Sequence, residues 1–190
     1  MAAGMFAVGA AYFNPDVGAR RMLTADPSLT QEQANIAAWR SNVQGIETTI
    51  RTRGEYAFET TLGGATISAL LEKAAAQGIQ VNVAYVGLTS LELHIARVRT
   101  RVAHGGHDIP EDTIRQRYAR SILNLVRLLP ILTELLVYDN SAAGDPQTGM
   151  EPRLFPVLHL QRGKILYQCD LNETPEWAKP VLFAALNTAK

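Results

Sequence analysis

Three acidic side chains follow segments of the sequence that are predicted to be β-strands. Asp16 comes just after the short apolar run Ala11–Asn14, while Glu59 and Asp139 lie at the ends of two later runs. In open α/β sheets, ligands bind beyond the carboxyl ends of the strands. A carboxylate at that edge can act as a general base that removes a proton from a hydroxyl group. The alternative is that Asn14-Pro15-Asp16 is only a turn, because these residue types favour turns.

The stretch Phe58-Glu59-Thr60-Thr61 places one carboxylate and two hydroxyl groups at a predicted strand end. Such a group suits a polyhydroxyl ligand such as a sugar, since hydroxyls and carboxylates exchange hydrogen bonds readily. Alternation along a strand predicts that Phe58 is buried and that Glu59 points to the other face. The alternative is an exposed strand end that is followed by a helix cap.

Arginine dominates the basic residues, since only four of the 18 are lysine. Two neighbouring predicted helices carry polar stripes, which contain Arg97, Arg101 and His104 on the first and Arg117, Arg120, Asn124 and Arg127 on the second. Arginine forms forked hydrogen bonds to phosphate oxygens. The stripes, joined by Gly105–Asp108, are predicted to close over phosphate groups as a lid. The alternative is two solvated helix faces.

Other chemistries find little support in the residue pattern. His107 has no histidine or cysteine partner at ligand spacing, so no metal site is predicted, and there is no Gly-x-Ser-x-Gly motif. The formal net charge of zero argues for neither nucleic acid nor an anionic membrane as partner. The single cysteine, Cys169, and the absence of an apolar run of about 20 residues predict a cytoplasmic protein.

The elements that must position these residues alternate between helical and extended patterns. Thr30-Gln31-Glu32-Gln33 has the spacing of a capping box. The helix after it has an apolar stripe of Ile36, Trp39, Val43, Ile46 and Ile50, and Gly54 is expected to end it. Helices are also predicted over 66–76 and 176–189. A further helix is expected to begin after Ser90, with a core stripe of Leu91, Ile95, Val98 and Val102. The helix after it is expected to be capped by Asp108 and to run to Leu129.

Strands are predicted at 11–14, 56–61, 80–88 and 135–138. The segment 80–88 is expected to be a buried strand, and 154–160 and 165–168 are expected to form a hairpin around Arg162-Gly163. Alternating strands and helices predict an α/β domain with a mainly parallel sheet and flanking helices, followed by a small C-terminal hairpin.

The order of the motifs is more specific than any one of them. They are Phe13-Asn14-Pro15-Asp16, Tyr56–Leu62, Leu88–Leu93, Arg97–Val102, Gly105-Gly106-His107-Asp108-Ile109-Pro110-Glu111, Arg115–Tyr118 and Tyr138-Asp139-Asn140-Ser141. Over about residues 10–145 this series resembles the zeta-toxin-like family of P-loop kinases. The resemblance implies one kinase domain over 1–190, in which 1–10 is the remnant of the first helix, 11–145 the family core and 146–190 a C-terminal hairpin and helix.

The resemblance also implies a function. Family members transfer the γ-phosphate of ATP, with Mg²⁺, to a hydroxyl of UDP-N-acetylglucosamine, and an antitoxin protein restrains them. By this resemblance Asp16 would be the base and Glu59, Thr60 and Thr61 would bind the acceptor. Arg97 would neutralise charge on the transferred phosphoryl group. The remaining phosphate contacts would come from Arg101, His107 and Arg117, with the second lid arginine left open among His107, Arg115 and Arg117.

One departure from the family is large, because the sequence contains no Gly-x-x-x-x-Gly-Lys-[Ser/Thr] motif and no lysine before Lys73. That motif holds the phosphates and Mg²⁺ in P-loop kinases. The first strand, the phosphate loop and most of the first helix are therefore expected to be missing. We expect a chain that starts too late, with the motif encoded upstream of Met1; a decayed, non-catalytic paralogue and a housekeeping kinase of another small molecule are the alternatives.

Overall fold

A computed structural model describes residues 12–104, 108–142 and 153–188. The chain divides into two compact units, Met1–Thr61 with Thr66–Ile79, and Leu62–Ala65 with Gln80–Lys190. The predicted helix remnant over 1–10 lies outside the described residues. The prediction of one kinase domain over the whole chain stays a prediction.

The first unit contains two short parallel strands and three helices. Its elements are β1 (Tyr12–Phe13), α1 (Pro15–Ala25), α2 (Gln31–Thr52), β2 (Ala57–Phe58) and α3 (Ala65–Ala76), of which α3 begins at a residue of the second unit. Strands β1 and β2 pair in parallel, with Tyr12 opposite Ala57. The prediction of strands at these two places is confirmed, although each strand is only two residues long.

Local capping signals define the start of α2. The Thr30 hydroxyl accepts from the Gln33 backbone N–H at 3.2 Å, and the Gln33 side chain accepts from the Thr30 N–H at 2.8 Å. This is the predicted capping box, which satisfies two N–H groups that would otherwise lack partners. At the other end, Thr52 is the last helical residue and Arg53 is the C-cap, with a φ of 54°. The helix thus ends just before Gly54.

The predicted core face of α2 is wrong for the first half of the helix. Ile36 and Trp39 are 44% and 46% exposed, whereas Ala34 and Ala38 are fully buried. Ala34 and Ala38 form a cluster with Ala19 of α1, against which Phe13, Met22 and Leu23 pack. Small side chains allow the two helices to approach closely, so the alanine face packs instead of the larger apolar face. Ile46 and Ile50, farther along, are buried as predicted.

The second unit is built around a four-stranded sheet. Its elements are β3 (Asn82–Gly87), α4 (Leu91–Ala103), α5 (Glu111–Leu128), β4 (Glu134–Asp139), β5 (Phe155–Gln161), β6 (Lys164–Gln168) and α6 (Lys179–Thr188). Two short 3₁₀ helices, Leu129–Ile131 and Glu176–Ala178, precede β4 and α6. The sheet order is β3-β4-β5-β6.

This sheet is mixed, whereas the sequence predicted a mainly parallel one. Strands β3 and β4 are parallel, while β4, β5 and β6 are joined by antiparallel pairing. Strands β5 and β6 form the predicted hairpin, whose turn residues Arg162 and Gly163 have φ values of 49° and 75°, whereas the antiparallel pairing of β4 with β5 was not predicted. The protein is therefore α/β with mixed sheets and flanking helices.

Strand β3 is an edge strand of this sheet, and its exposure follows from that position. Its side chains alternate between exposed and half-buried along Asn82–Val86, with Val86 51% exposed. The prediction of a buried strand over 80–88 is therefore wrong. The core of the second unit comes instead from other elements and includes Leu125, Leu128, Leu135, Val137, Leu160, Val181 and Leu182.

Helices α4 and α5 pack together through the predicted apolar stripe. Ile95 and Val98 are buried with Ile114, and Leu91, Val102 and Ile109 pack around them. The Ser90 hydroxyl caps α4 by accepting from the Leu93 N–H at 3.1 Å. The predicted cap of α5 is wrong: Pro110 occupies the cap position without a side-chain bond, and Asp108 accepts from the adjacent Ile109 N–H.

Across the described residues, no helix combines the length and the apolar character that a membrane crossing requires.

Candidate functional site

A polar cluster lies at the carboxyl ends of β1 and β2. Both oxygens of the Glu59 carboxylate accept hydrogen bonds: Oε1 from the Tyr12 hydroxyl and Oε2 from Asn14 Nδ2 at 2.7 Å. The Glu59 backbone N–H also donates to the Phe13 carbonyl at 3.0 Å, which continues the strand pairing by one residue. The carboxylate of Glu59 is therefore held from both sides, while the residue itself remains exposed.

Asp16 lies in the first turn of α1 rather than in a loop, which corrects the sequence interpretation. Pro15 opens the helix and Asn14 caps it, because Asn14 Oδ1 accepts from the Val17 N–H at 3.1 Å. Proline suits the first helical position, since its missing N–H would have no partner there. A carboxylate in the first turn is stabilised by the helix dipole. Asp16 is exposed and thus reachable by a ligand.

The neighbours of Glu59 differ from the sequence expectation. Ala57 is buried, whereas Phe58 is only half-buried and stacks on Tyr56 with ring centroids 5.7 Å apart. Thr60 and Thr61 follow Glu59 and are exposed, so the first unit does bring the predicted acceptor residues to one end of its strand pair.

The protonation of Tyr12 is perturbed by its position beside Glu59. Partial burial, the hydrogen bond to Glu59 and the negative charge of Glu59 together raise the pKa of Tyr12 to about 12, with a smaller opposing effect from Asn14. All of the larger causes disfavour a phenolate beside a carboxylate. Tyr12 therefore stays a hydrogen-bond donor to Glu59 at neutral pH.

A basic face on α4 is the main feature of the second unit. Arg97 and Arg101 lie one helical turn apart, with Arg97 half-buried and Arg101 exposed. They are close enough to His94 that burial, Arg101 and Arg97, in that order, lower the pKa of its imidazole. The His94 ring also lies edge-on against Tyr118 of α5, at a centroid distance of 6.4 Å.

The Tyr118 hydroxyl connects this face to the carboxyl end of β3. It donates to the Leu88 carbonyl at 3.1 Å, one residue beyond the last residue of that strand. Tyr118 thus links His94 to the end of a parallel strand, the position at which α/β sheets bind ligands, and Arg97 and Arg101 form a cationic face on the same helix. Sequence reasoning missed His94, although its spacing of three from Arg97 and seven from Arg101 is the signal that would have found it.

The remaining predicted phosphate residues have different surroundings. Arg117 of α5 packs over Gly63, where an added Cβ would lie 2.8 Å from the arginine Cγ. Asn124 donates to the carbonyls of Leu62 and Gly64 at 2.7 and 3.3 Å, so it fixes this backbone segment. His107 lies outside the described residues.

Arg99 lies on an exposed flank of α4. Its side chain is 74% exposed and pairs with Glu111 at 3.1 Å. Glu111 also pairs with Arg115, and that hydrogen bond is the largest of the effects that lower its pKa. Arg99 and Arg115 are thus engaged with a carboxylate on the flank of α4 and α5.

Asp139, the third predicted strand-end acid, has a structural role. It is 7% exposed and accepts from Trp177 Nε1 at 2.7 Å and from the Ser141 hydroxyl at 2.8 Å. Trp177 also covers Gly87, where a Cβ would lie 2.4 Å from the indole ring. These contacts attach the C-terminal segment to the ends of β3 and β4. No local sequence signal pairs residues that are 38 positions apart.

The residues that the structure describes contain no group of three or more histidine, cysteine, aspartate or glutamate side chains that could hold a metal ion.

Comparison with known proteins gives one informative similarity. A protein of Haemophilus influenzae named only as uncharacterized is 33% identical over 85 residues, which are 45% of this chain and 61% of that protein. The chain thus spans less than two thirds of this relative's length. No family model matches the chain. No solved structure matches it either.

Proposed function

We propose that this chain is the acceptor-binding and lid-bearing part of a zeta-toxin-like P-loop kinase. In its complete form the enzyme would use ATP and Mg²⁺ to phosphorylate a hydroxyl of a nucleotide-sugar such as UDP-N-acetylglucosamine. The resemblance implies an antitoxin protein as the partner. The proposed compartment of the enzyme and its substrate is the cytoplasm.

The observation that carries the proposal is the pair of exposed carboxylates beside one strand end. Glu59 is fixed by Tyr12 and Asn14, and Asp16 stands two residues beyond Asn14 on the first turn of α1. A fixed carboxylate suits the recognition of a ligand hydroxyl, and a second, exposed carboxylate suits proton removal. The order of motifs along the chain supports the assignment of Glu59, Thr60 and Thr61 to acceptor binding.

The cationic face of α4 supports a role for phosphate groups. Burial and the charges of Arg101 and Arg97 lower the pKa of His94, so positive charge lies close to this ring. Arg99 pairs with Glu111 on the flank of the helix. We therefore assign transition-state charge neutralisation to Arg97, with Arg101 as a further phosphate contact. Arg117, beside Gly63, is the α5 candidate for the same ligand.

The proposed reaction balances as a simple phosphoryl transfer. The acceptor hydroxyl oxygen forms a bond to the γ-phosphorus of ATP while the bond from that phosphorus to the leaving oxygen of ADP breaks. The hydroxyl proton passes to Asp16. The resemblance implies that Arg97 would neutralise the charge that spreads over the γ-phosphoryl oxygens.

The described residues suit ATP phosphates but not Mg²⁺. The arginines of α4 match phosphate oxygens in geometry, whereas no acidic group there has a metal-ligand arrangement. The Asp139 carboxylate accepts hydrogen bonds from Trp177 and Ser141. The phosphate-loop hydroxyl that holds Mg²⁺ in this family is absent from the sequence, so no step is assigned to the metal here.

The test is transfer of label from γ-labelled ATP. The product of the complete reading frame is incubated with Mg-ATP and, separately, with UDP-N-acetylglucosamine, other nucleotide-sugars, sugar phosphates and nucleosides. We expect a phosphorylated nucleotide-sugar, identified by mass spectrometry. The absence of a labelled product with every acceptor, under conditions in which a known sugar kinase is active, would refute the proposal.

A non-catalytic acceptor-binding protein is the second candidate, because the sequence lacks a phosphate loop. The same labelling experiment separates the two functions when it is combined with calorimetry. This candidate predicts that the protein binds the nucleotide-sugar, that Glu59→Gln weakens this binding and that no phosphoryl transfer occurs.

A further inference from the structure

We infer that Asn14 and Tyr12 are positioning residues for the acceptor: they hold the Glu59 carboxylate in a fixed orientation, and Asn14 ties it to the helix turn that carries Asp16. The inference rests on the proposed function and deepens it, since it names the groups that would set affinity for the acceptor hydroxyls. Neither residue is assigned such a role by the resemblance.

The first argument is the occupancy of the carboxylate. A carboxylate can accept about four hydrogen bonds, and Glu59 accepts one on each oxygen, from Tyr12 and from Asn14. Each oxygen thus keeps capacity for a ligand hydroxyl, while rotation of the carboxyl group would break both existing bonds. Two neutral donors fix the group without cancelling its charge.

The second argument is the double role of the Asn14 amide. Its oxygen accepts from the Val17 N–H at 3.1 Å, and its nitrogen donates to Glu59 at 2.7 Å. The cap requires an acceptor and the carboxylate requires a donor, so the amide can satisfy both in one orientation only. One side chain thereby joins Glu59 to the turn of α1 that carries Asp16.

The third argument is that capping alone does not require asparagine. Serine and aspartate cap helices about as well, but aspartate cannot donate to Glu59 and serine has a shorter reach. The cluster is also exposed, with Tyr12 51% exposed. Hydrogen bonds between exposed groups add little to folding stability because water competes for both partners. Ligand positioning accounts for the donor on each oxygen better than folding does.

The test uses two variants, Asn14→Ser, which keeps a cap acceptor, and Tyr12→Phe, which removes only the phenol hydroxyl. Asn35→Ser on α2 is the matched control, because Asn35 bonds only to Gln31 one turn earlier on the same helix. In the complete enzyme we expect each of Asn14→Ser and Tyr12→Phe to raise KM for the nucleotide-sugar by about tenfold, the equivalent of one charge-assisted hydrogen bond. KM for ATP and the thermal midpoint should stay close to those of the wild type.

A second measurement examines the cluster without any activity. With ¹³C-labelled tyrosine, the Tyr12 resonance, assigned by its loss in Tyr12→Phe, should titrate well above the ordinary tyrosine pKa of about 10, and Glu59→Gln should lower that pKa. An ordinary pKa for Tyr12 in the wild type would overturn the inference, as would unchanged acceptor KM in both variants of an active enzyme. A wild-type protein with a raised Tyr12 pKa but no transfer would instead refute the proposed function, and the acceptor role would fall with it.

Discussion

His94 is the residue whose ionisation reports most directly on the basic face of α4. Burial and the charges of Arg101 and Arg97 lower its pKa from the ordinary value. Tyr118 packs edge-on against the ring from α5. An anion bound by the arginines would reverse part of this effect, because it would favour the protonated imidazole.

We predict that Arg97→Gln raises the pKa of His94, since one of the two nearby positive charges is removed. The measurement is the ¹H–¹³C NMR titration of the histidine ring in the wild type and the variant. Arg99→Gln is the control, because Arg99 pairs with Glu111 and is not among the causes of the shift. Equal His94 pKa values in the wild type and in Arg97→Gln would contradict the assigned helix face.

The same shift has a consequence for stability with a defined sign. The folded-state pKa of His94 is below its unfolded value of about 6.5. Between these two pKa values the folded state therefore binds fewer protons than the unfolded state. The stability that the neutral ring contributes is present above that pH and is lost as pH falls through the folded pKa.

Helix α2 shows at the element scale why some predictions succeed and others fail. The capping box at Thr30 and the cap at Ser90 are local features, and each could be predicted from three or four neighbouring residues. The buried face of α2 depends on which element packs against it. The larger apolar stripe was predicted, but the alanine face of α2 packs against α1.

We predict opposite effects of substitutions at two adjacent positions of α2. Ala38→Leu should destabilise the protein by about 1–3 kcal/mol, because Ala38 is fully buried and added methylene groups overpack the α1–α2 contact. Trp39→Ala should change stability by only about 0.5 kcal/mol, since Trp39 is 46% exposed. Urea denaturation followed by circular dichroism measures both. The reverse order of effects would restore the face that the sequence predicted.

Strand β3 and Asp139 show the same limit for the candidate site. The sequence located the strand ends and the acidic residues there, and Asp16 and Glu59 remain candidates. It could not show that β3 is an edge strand or that Asp139 is used by Trp177, because both facts depend on partners far along the chain. The hydrogen bond from Tyr12 to Glu59 joins residues 47 positions apart, so the sequence could not predict it either.

At the scale of the whole molecule, the strands that the structure describes form two sheets, one in each unit. In the parts of the chain that the structure describes, β2 pairs only with β1, and β3 pairs only with β4. Each therefore has one edge without a strand partner, and an unpaired edge is a place where another strand can add.

We predict that the 190-residue chain binds Mg-ATP poorly by itself. The phosphate loop supplies most phosphate hydrogen bonds in a P-loop kinase, and each charge-assisted bond contributes about 1.5–3 kcal/mol. Calorimetry of residues 1–190 should give no dissociation constant in the micromolar range, with a known P-loop kinase as the control. Micromolar binding would contradict the view that a missing loop holds the nucleotide.

The central claim is that the end of the β1–β2 pair handles the acceptor of a phosphoryl transfer. It is tested most directly by the transfer rate of Asp16→Asn in the complete enzyme, compared with Asp26→Asn. Asp26 caps the other end of the same helix and its side chain accepts hydrogen bonds from Ser28, so it is a matched control. We expect Asp16→Asn to lower kcat by about 10²–10⁴, the usual contribution of a general base, with ATP binding unchanged, and Asp26→Asn to retain wild-type turnover. Undiminished turnover in Asp16→Asn would show that Asn14-Pro15-Asp16 only starts a helix.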